Sequence, residues 1–281
     1  MILDGHMHIW SMDYDGDSFY RALEEAGVDG GCIMSIPPSG YMPTDLNYKE
    51  RISSVLELTA AKNTLYPFFF IDPTEKDAGN QVEYALDAGI KGFKIICYSF
   101  YPDDPRALKL YRRIGEAGKP ILFHSGILYN KAVSGDYCRP IRWEPLSELE
   151  DITFALAHVS WPWCDECIAV YGKSRWLSRY RERNGIKSSY NMYIDLTPGT
   201  PPIYRKDVLI KLTTLFEDNL PEHIIFGTDN SVNKYKPHYT REIMDRDNRI
   251  YDELRISEEF RSNIYSRNLM RFLHPGVDYG N

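Results

Sequence analysis

Leu65-Tyr66-Pro67-Phe68-Phe69-Phe70-Ile71 and Gly92-Phe93-Lys94-Ile95-Ile96-Cys97 are two short, almost unbroken apolar runs, and a helical stretch over 80–88, closed by Gly89, lies between them. Apolar runs of this length without polar alternation suit strands covered on both faces, as in a parallel sheet. Strand, glycine-stopped helix and strand together make a βαβ unit. The unit repeats in both directions. Upstream lie a strand within 1–10, a helix over 18–26 closed by Gly27, a strand over 31–36 stopped by Pro37-Pro38, and a helix over 48–61. Downstream the pattern predicts helix 106–117, strand 120–124, helix 145–150, strand 153–158, a long basic helix to about Arg183, strand 190–196, helix 206–218 and strand 223–228. Eight strands at intervals of 27 to 37 residues, with a helical stretch in each interval, predict a closed (β/α)8 TIM barrel of the α/β class. The competing open doubly wound sheet usually brings a glycine-rich phosphate loop, and the chain contains neither G-x-G-x-x-G nor a P-loop. A closing helix is expected over 257–273, capped by Ser257, with Phe260, Ile264 and Leu269 near one face. No linker or low-complexity segment interrupts the chain, so one domain over 1–281 is expected.

Composition narrows the function. The 281 residues are 43% hydrophobic and 26% charged, the balance of a globular protein. A net charge of −7 gives no general attraction to phosphate backbones or anionic lipid. Lys173, Arg175, Arg179, Arg181, Arg183 and Lys187, interleaved with Trp176 and Tyr180, therefore read as the outer face of one barrel helix rather than a nucleic-acid patch. The longest apolar runs fall far short of the roughly 18 residues of a membrane span, and Met1 leads into the first strand without a signal-peptide pattern. Five scattered cysteines are not a disulfide framework, and Cys164 and Cys167 read as two helix cysteines. A cytoplasmic protein with a small-molecule substrate, no nucleic acid and no membrane partner is expected, with self-association into a homo-oligomer left open.

The chemistry is expected at the amino terminus, in Asp4-Gly5-His6-Met7-His8. Residues two apart on a strand face the same way, so His6 and His8 present two imidazoles on one face. That spacing suits adjacent corners of one coordination sphere, with Zn–N bonds of about 2.0–2.1 Å. In a barrel, reactive groups gather at the carboxyl ends of the strands. His124 ends the predicted fifth strand, His158 ends the sixth, and Asp229 follows the eighth. Each alone has an ordinary reading, as a core histidine or a helix-capping aspartate. Jointly, four of the seven histidines and one aspartate are aimed at one point on the barrel axis, which predicts a metal site.

On these residues the chain resembles the amidohydrolase superfamily, in its amidohydrolase-related branch, which holds aminocarboxymuconate-semialdehyde decarboxylase and the resorcylate decarboxylases alongside many hydrolases. The resemblance runs through Asp4-Gly5-His6-Met7-His8, Gly89-Ile90-Lys91-Gly92-Phe93-Lys94, Phe123-His124-Ser125-Gly126, the stretch 157–166 around His158, Phe226-Gly227-Thr228-Asp229 and the terminal 266–272. It implies that His6, His8, His124 and Asp229 bind one divalent metal, zinc by preference, with His158 just outside. Two departures stand out: Gly-Thr-Asp replaces the usual Gly-Ser-Asp before the acid, and Val-Ser-Trp-Pro-Trp follows His158 where relatives carry glycines.

A divalent ion with such ligands keeps an open position and net positive charge, so it lowers the pKa of bound water from 15.7 to about 7 and polarises carbonyls. Asp229 is expected to be the general base, and His158 to orient the water or to stabilise the oxyanion. Some superfamily members carboxylate a strand-four lysine to bridge two metals. Lys94 is on that strand, but the apolar residues after it predict a side chain too deep for the mouth, so one metal is the expectation. Trp10 and Trp161, with Tyr98 and Trp163, are expected to wall the pocket. Lys94, or Arg142 with Arg139 and Lys131 in the loop after strand five, is expected to hold a substrate carboxylate. The expected function is metal-dependent hydrolysis of an amide, lactone or related carbonyl compound, with non-oxidative decarboxylation of an aromatic or unsaturated acid as the alternative.

Overall fold

The computed structural model describes residues 1–186, 190–214 and 222–275. Among these residues nine parallel strands follow one another around a ring: β1 (Leu3–His8), β2 (Gly30–Met34), β3 (Leu65–Phe70), β4 (Gly92–Ile95), β5 (Ile121–Phe123), β6 (Thr153–Leu156), β7 (Asn191–Asp195), β8 (Ile224–Ile225) and β9 (Asn230–Ser231). Neighbours in sequence pair in order from β1 to β8, and β9 pairs with the other edge of β1, Met7 opposite Asn230 and His8 opposite Ser231. The ring closes because the chain leaving β8 turns onto β1. There Gly5 N–H donates to the Phe226 carbonyl and Asp229 N–H to the His6 carbonyl, both at 2.9 Å. The architecture is TIM-barrel-like, and this closure rules out the open doubly wound sheet.

Each of the two faces of the sheet has its own core. Leu3, Cys32, Met34, Phe68, Leu122, Ala155, Tyr193 and Ile225 fill the inside of the ring. Their neighbours one residue on, such as Ile33, Phe69, Phe123, Phe154 and Ile194, pack outward against the helices. That two-sided burial is why the strands read as unbroken apolar runs. The outer layer comprises α1 (Gly16–Ala26), α2 (Tyr48–Thr59), α3 (Ala78–Ala88), α4 (Pro105–Glu116), α6 (Cys164–Arg183), α7 (Pro202–Thr214) and α8 (Pro237–Glu253). No helix among the described residues is long and apolar enough to cross a membrane.

Four expectations change. The helix expected over 145–150 is a 3-10 helix, Pro140–Glu148, preceded by the single turn α5 (Ser134–Tyr137). Pro145 lies inside the 3-10 helix and lacks the N–H that an α-helical bond needs. The strand expected over 223–228 is broken, because Gly227-Thr228-Asp229 leaves extended geometry, with Asp229 at φ 59°. Helix α8 has no counterpart in the predicted pattern, since its buried face, Thr240, Ile243, Met244, Asp247, Ile250 and Tyr251, mixes polar residues into the apolar stripe. The closing helix is α9 (Glu258–Ser262) and α10 (Asn268–Leu273) joined by a π turn, Asn263–Arg267. That turn resets the helical register. Ile264 packs in the outer core, while Leu269, Phe272 and Leu273 plug the floor of the ring, so they do not share a face. Helix α7 ends its described part at Thr214, and the extension expected to 218, like Lys187 of the basic stretch, lies outside the described residues.

Candidate metal centre

Strand β1 is not regular. Asp4 pairs with Gly31 and Met7 with Ile33, so β1 carries one residue more than β2 across this interval, a β-bulge. The bulge lets Leu3 fill the floor of the ring while His6 and His8 still point inward near its mouth. Asp4 holds the bulge together. Its Oδ1 accepts from the His6 and Thr228 N–H groups, each at 3.0 Å, and its Oδ2 from the Thr228 hydroxyl at 2.5 Å. Complete burial pushes the Asp4 carboxyl up to about 7, against the pull of those donors. Gly227 completes the contact, because a Cβ at that position would lie 2.9 Å from the His6 Cβ.

Three ligand groups converge. His6 Nε2 and His8 Nε2 are 3.0 Å apart, and Asp229 Oδ1 lies 3.7 Å from the first and 3.5 Å from the second. The donor atoms of these residues all fall within 4.8 Å of one another. Behind them His6 Nδ1 faces Asp195 Oδ2 at 2.7 Å. With Nδ1–H donated to that carboxylate, Nε2 presents its lone pair to the centre. Asp195 is itself fixed by the Thr197 N–H at 2.7 Å and by the Thr197 hydroxyl.

His124 and His158 border the same cavity. Their rings are 4.9 Å apart, and the His158 ring is 5.3 Å from that of His6. Buried His124 Nε2 and His8 Nδ1 have no hydrogen-bond partner among the described residues. Burial holds the His6, His8 and His124 imidazoles well below the usual histidine range, so they are neutral lone-pair donors. Two convergent nitrogens, a carboxylate and a further unsatisfied imidazole are a donor set that fits a divalent cation.

Lys94 is not too deep. Phe93 and Ile95 face the outer core, which leaves Lys94 pointing inward, and its Nζ lies 3.1 Å from His6 Nε2. Burial lowers its pKa to about 8. Beyond β6 the backbone passes through three successive left-handed residues, His158 (φ 62°), Val159 (φ 46°) and Ser160 (φ 55°). A left-handed valine costs on the order of 1–3 kcal/mol, and full burial of Val159 keeps it there. This turn brings His158 Nδ1 to 3.2 Å from the Pro198 carbonyl. The Val-Ser-Trp-Pro-Trp departure therefore builds a wall, in which Trp161 lines the cavity.

Trp10 lines it from the other side, its ring stacked on His8 at 4.5 Å. Arg142 does not reach it: the side chain is exposed, with its guanidinium 4.9 Å from the Tyr101 ring centre. Arg139 pairs with Glu166, and Lys131 is exposed away from the lining. Tyr98 donates to Asp72 at 2.6 Å, and its neighbour Tyr41 takes the place on the wall. Trp163 lines an adjoining groove instead.

Sequence reasoning passed over Asp4 as a clamp, and it passed over Asp195, Thr197 and Tyr41 altogether. Asp195 had a signal. Tyr193 points inward on β7, and a period of two carries Asp195 and Thr197 to the same face at the mouth. Asp195→Asn is expected to weaken metal binding by about 10- to 100-fold, because a carboxamide no longer fixes the His6 tautomer. Chelator competition measures this, and an unchanged affinity would remove Asp195 from the centre.

No curated protein matches the chain. Among solved structures it is similar to an amidohydrolase from Burkholderia multivorans with bound zinc, at 13% identity and TM-score 0.64, over 98% of this chain and 99% of that one. It is similar to amidohydrolase 2 from Bifidobacterium longum subsp. infantis at 14% identity and TM-score 0.58, over 97% and 98% of the two chains. Dihydroorotase from Campylobacter jejuni matches at 14% identity and TM-score 0.59, over 100% of this chain and 84% of that one. At such identities the likeness speaks for the fold alone. The family comparison goes further: the amidohydrolase family model matches residues 3–274, from the first residue of β1 to just past α10, and the chain belongs to that family.

Proposed function

We propose that the chain is a metal-dependent hydrolase acting on a small amide, lactone or related carbonyl compound. The observation that carries this reading is the placement of Asp229. Its carboxylate lies 3.5 Å from His8 Nε2, yet its side chain is 41% exposed towards the cavity, so it faces the ion position and the substrate at once. His6, His8 and Asp229, with His124 beside them, would hold one divalent ion, zinc by donor type, and the bound ion would polarise a carbonyl and lower the pKa of water to about 7.

The chain's own groups supply the rest. Asp229 accepts the proton of the attacking water and returns it to the leaving group. Without an ion, desolvation raises its pKa to about 7 while the nearby Lys94 ammonium pulls it down. His158 is neutral, since burial lowers it to about 4, and with Nδ1–H directed at Pro198 its Nε2 accepts hydrogen bonds. It therefore orients water, and the oxyanion role passes to a donor. Lys94 is that donor: its Nζ borders the cavity, 3.1 Å from His6 Nε2. The cavity, about 220 Å³ with walls from Trp10, Tyr41, Ile96, Leu128 and Trp161, admits a small compound.

Decarboxylation on the same centre needs the reacting carboxylate held beside the ion. No arginine lines the cavity among the described residues, and this favours hydrolysis. The test is a screen of metal-loaded protein against lactones, amides, and hydroxy- and aminobenzoates. Turnover of the first two classes is expected; release of carbon dioxide from benzoates alone would overturn the reading. Protein purified without chelator is expected to carry one equivalent of metal per chain, and two equivalents would mean that Lys94 bridges a second ion.

A further inference from the structure

Away from the ion position, the cavity offers a substrate little positive charge. Its imidazoles are neutral, and Lys94, the one lysine or arginine among its described lining residues, faces His6. A second concavity of about 450 Å³ begins where the first ends, sharing Asp229 and Pro198 with it, and Lys234, Lys236 and Tyr239 line its far side. We infer that Lys234 and Lys236 form a subsite for a carboxylate carried by the substrate away from the bond that is cleaved. This subsite rests on the hydrolase reading and adds the substrate's charge to it.

Three observations support it. First, both lysines are exposed, and neither has an ion pair among the described residues, although the chain carries a net charge of −7. Second, the loop that carries them is tied to the wall of the main cavity. Asn233 Oδ1 accepts from the Trp10 N–H at 3.0 Å, and Asn233 Nδ2 donates to the Ser11 carbonyl at 3.0 Å and the Asp13 carbonyl at 2.7 Å. The Lys236 N–H donates to Asn230 Oδ1 at 3.3 Å. The lysine backbones thus keep a set position relative to His8 and Asp229, which preorganised recognition requires. Third, Asp229 and Pro198 line both spaces, so the two are continuous, and a compound whose reacting carbonyl sits at the histidine end carries its far end to the lysines.

The experiment is calorimetric titration of the metal-loaded protein with acetate and with the diacids succinate, glutarate and adipate. One carboxylate of each probe takes the centre, as acetate does, and the second reaches for the lysines. Exposed ion pairs are individually weak, so together the two lysines are expected to make at least one diacid bind about tenfold more tightly than acetate. Lys234→Ala/Lys236→Ala is expected to erase that advantage, and Lys234→Arg/Lys236→Arg to keep it. The subsite is refuted if no diacid surpasses acetate, or if the alanine pair leaves the advantage in place. Failure of the hydrolase reading would appear elsewhere, in the turnover screen, because diacid binding requires no catalysis.

Discussion

Asp229→Asn is expected to lower kcat by about 100- to 10,000-fold while the protein retains most of its metal. The carboxamide cannot accept a proton from water, yet it keeps the shape of the side chain and an oxygen facing His6 and His8. The backbone also tolerates the change. Asp229 sits at φ 59°, a left-handed conformation that asparagine adopts more readily than most residues. Its N–H bond to the His6 carbonyl and the Asp4–Thr228 clamp do not involve the carboxylate. Metal content and circular dichroism separate the outcomes: full metal, native fold and turnover within a few-fold of the parent would remove Asp229 as the base. The pH profile gives a second readout. A base must be unprotonated to act, so the parent activity should fall on the acid side as Asp229 takes up a proton, and the variant's residual rate should lose that limb.

Asp247→Leu is expected to destabilise the fold by about 3–5 kcal/mol. Arg205 on α7 and Asp247 on α8 meet in a two-pronged contact, Nε to Oδ1 at 3.0 Å and Nη2 to Oδ2 at 2.6 Å, with both side chains 2% exposed. Arg205 Nη1 has no hydrogen-bond partner among the described residues and Nε and Nη2 bond Asp247, so removing the acid strands a buried guanidinium. Chemical denaturation should show the loss as a lower midpoint with little change in slope. The pair itself is a weak source of stability, since taking two charges out of water offsets most of their attraction. Arg205→Met/Asp247→Leu is accordingly expected to recover most of the loss. A single variant as stable as the parent would mean that Arg205 finds water or another acceptor. Helix α7 follows β7, which ends at Asp195, and α8 follows the β8–β9 segment that carries Asp229, so the pair also bears on how firmly the site is held.

The architecture was legible because burial on both faces leaves a mark in composition. A strand covered by helices outside and by the ring's own core inside must be apolar at nearly every position, and Phe68-Phe69-Phe70 shows both faces at once. Elements whose stability comes from a distant partner left no such mark. Helix α8 hides because Asp247 interrupts its apolar stripe, and only the presence of Arg205, 42 residues away, makes that aspartate tolerable inside. The π turn before Asn268 was equally silent. Asn268 Nδ2 donates to the Ile224 carbonyl at 2.8 Å, a contact that fixes where the floor plug sits.

At the site, His6, His8 and Asp229 could be named from residue type and position, because each lies where a strand ends or has just ended. Arg142 was a misleading choice, since charge in a long loop says nothing about which way the loop folds, and here it lies over Tyr101. By itself the order of residues determined the eight-fold alternation, the amphipathic helices and the histidine pair, all properties of neighbours a few positions apart. Tertiary structure alone decided that Asp4 clamps Thr228, that Asp195 fixes His6 and that Lys94 reaches the centre. Those contacts span 88 to 224 positions, and such distances along the chain become short only after the ring of strands has closed.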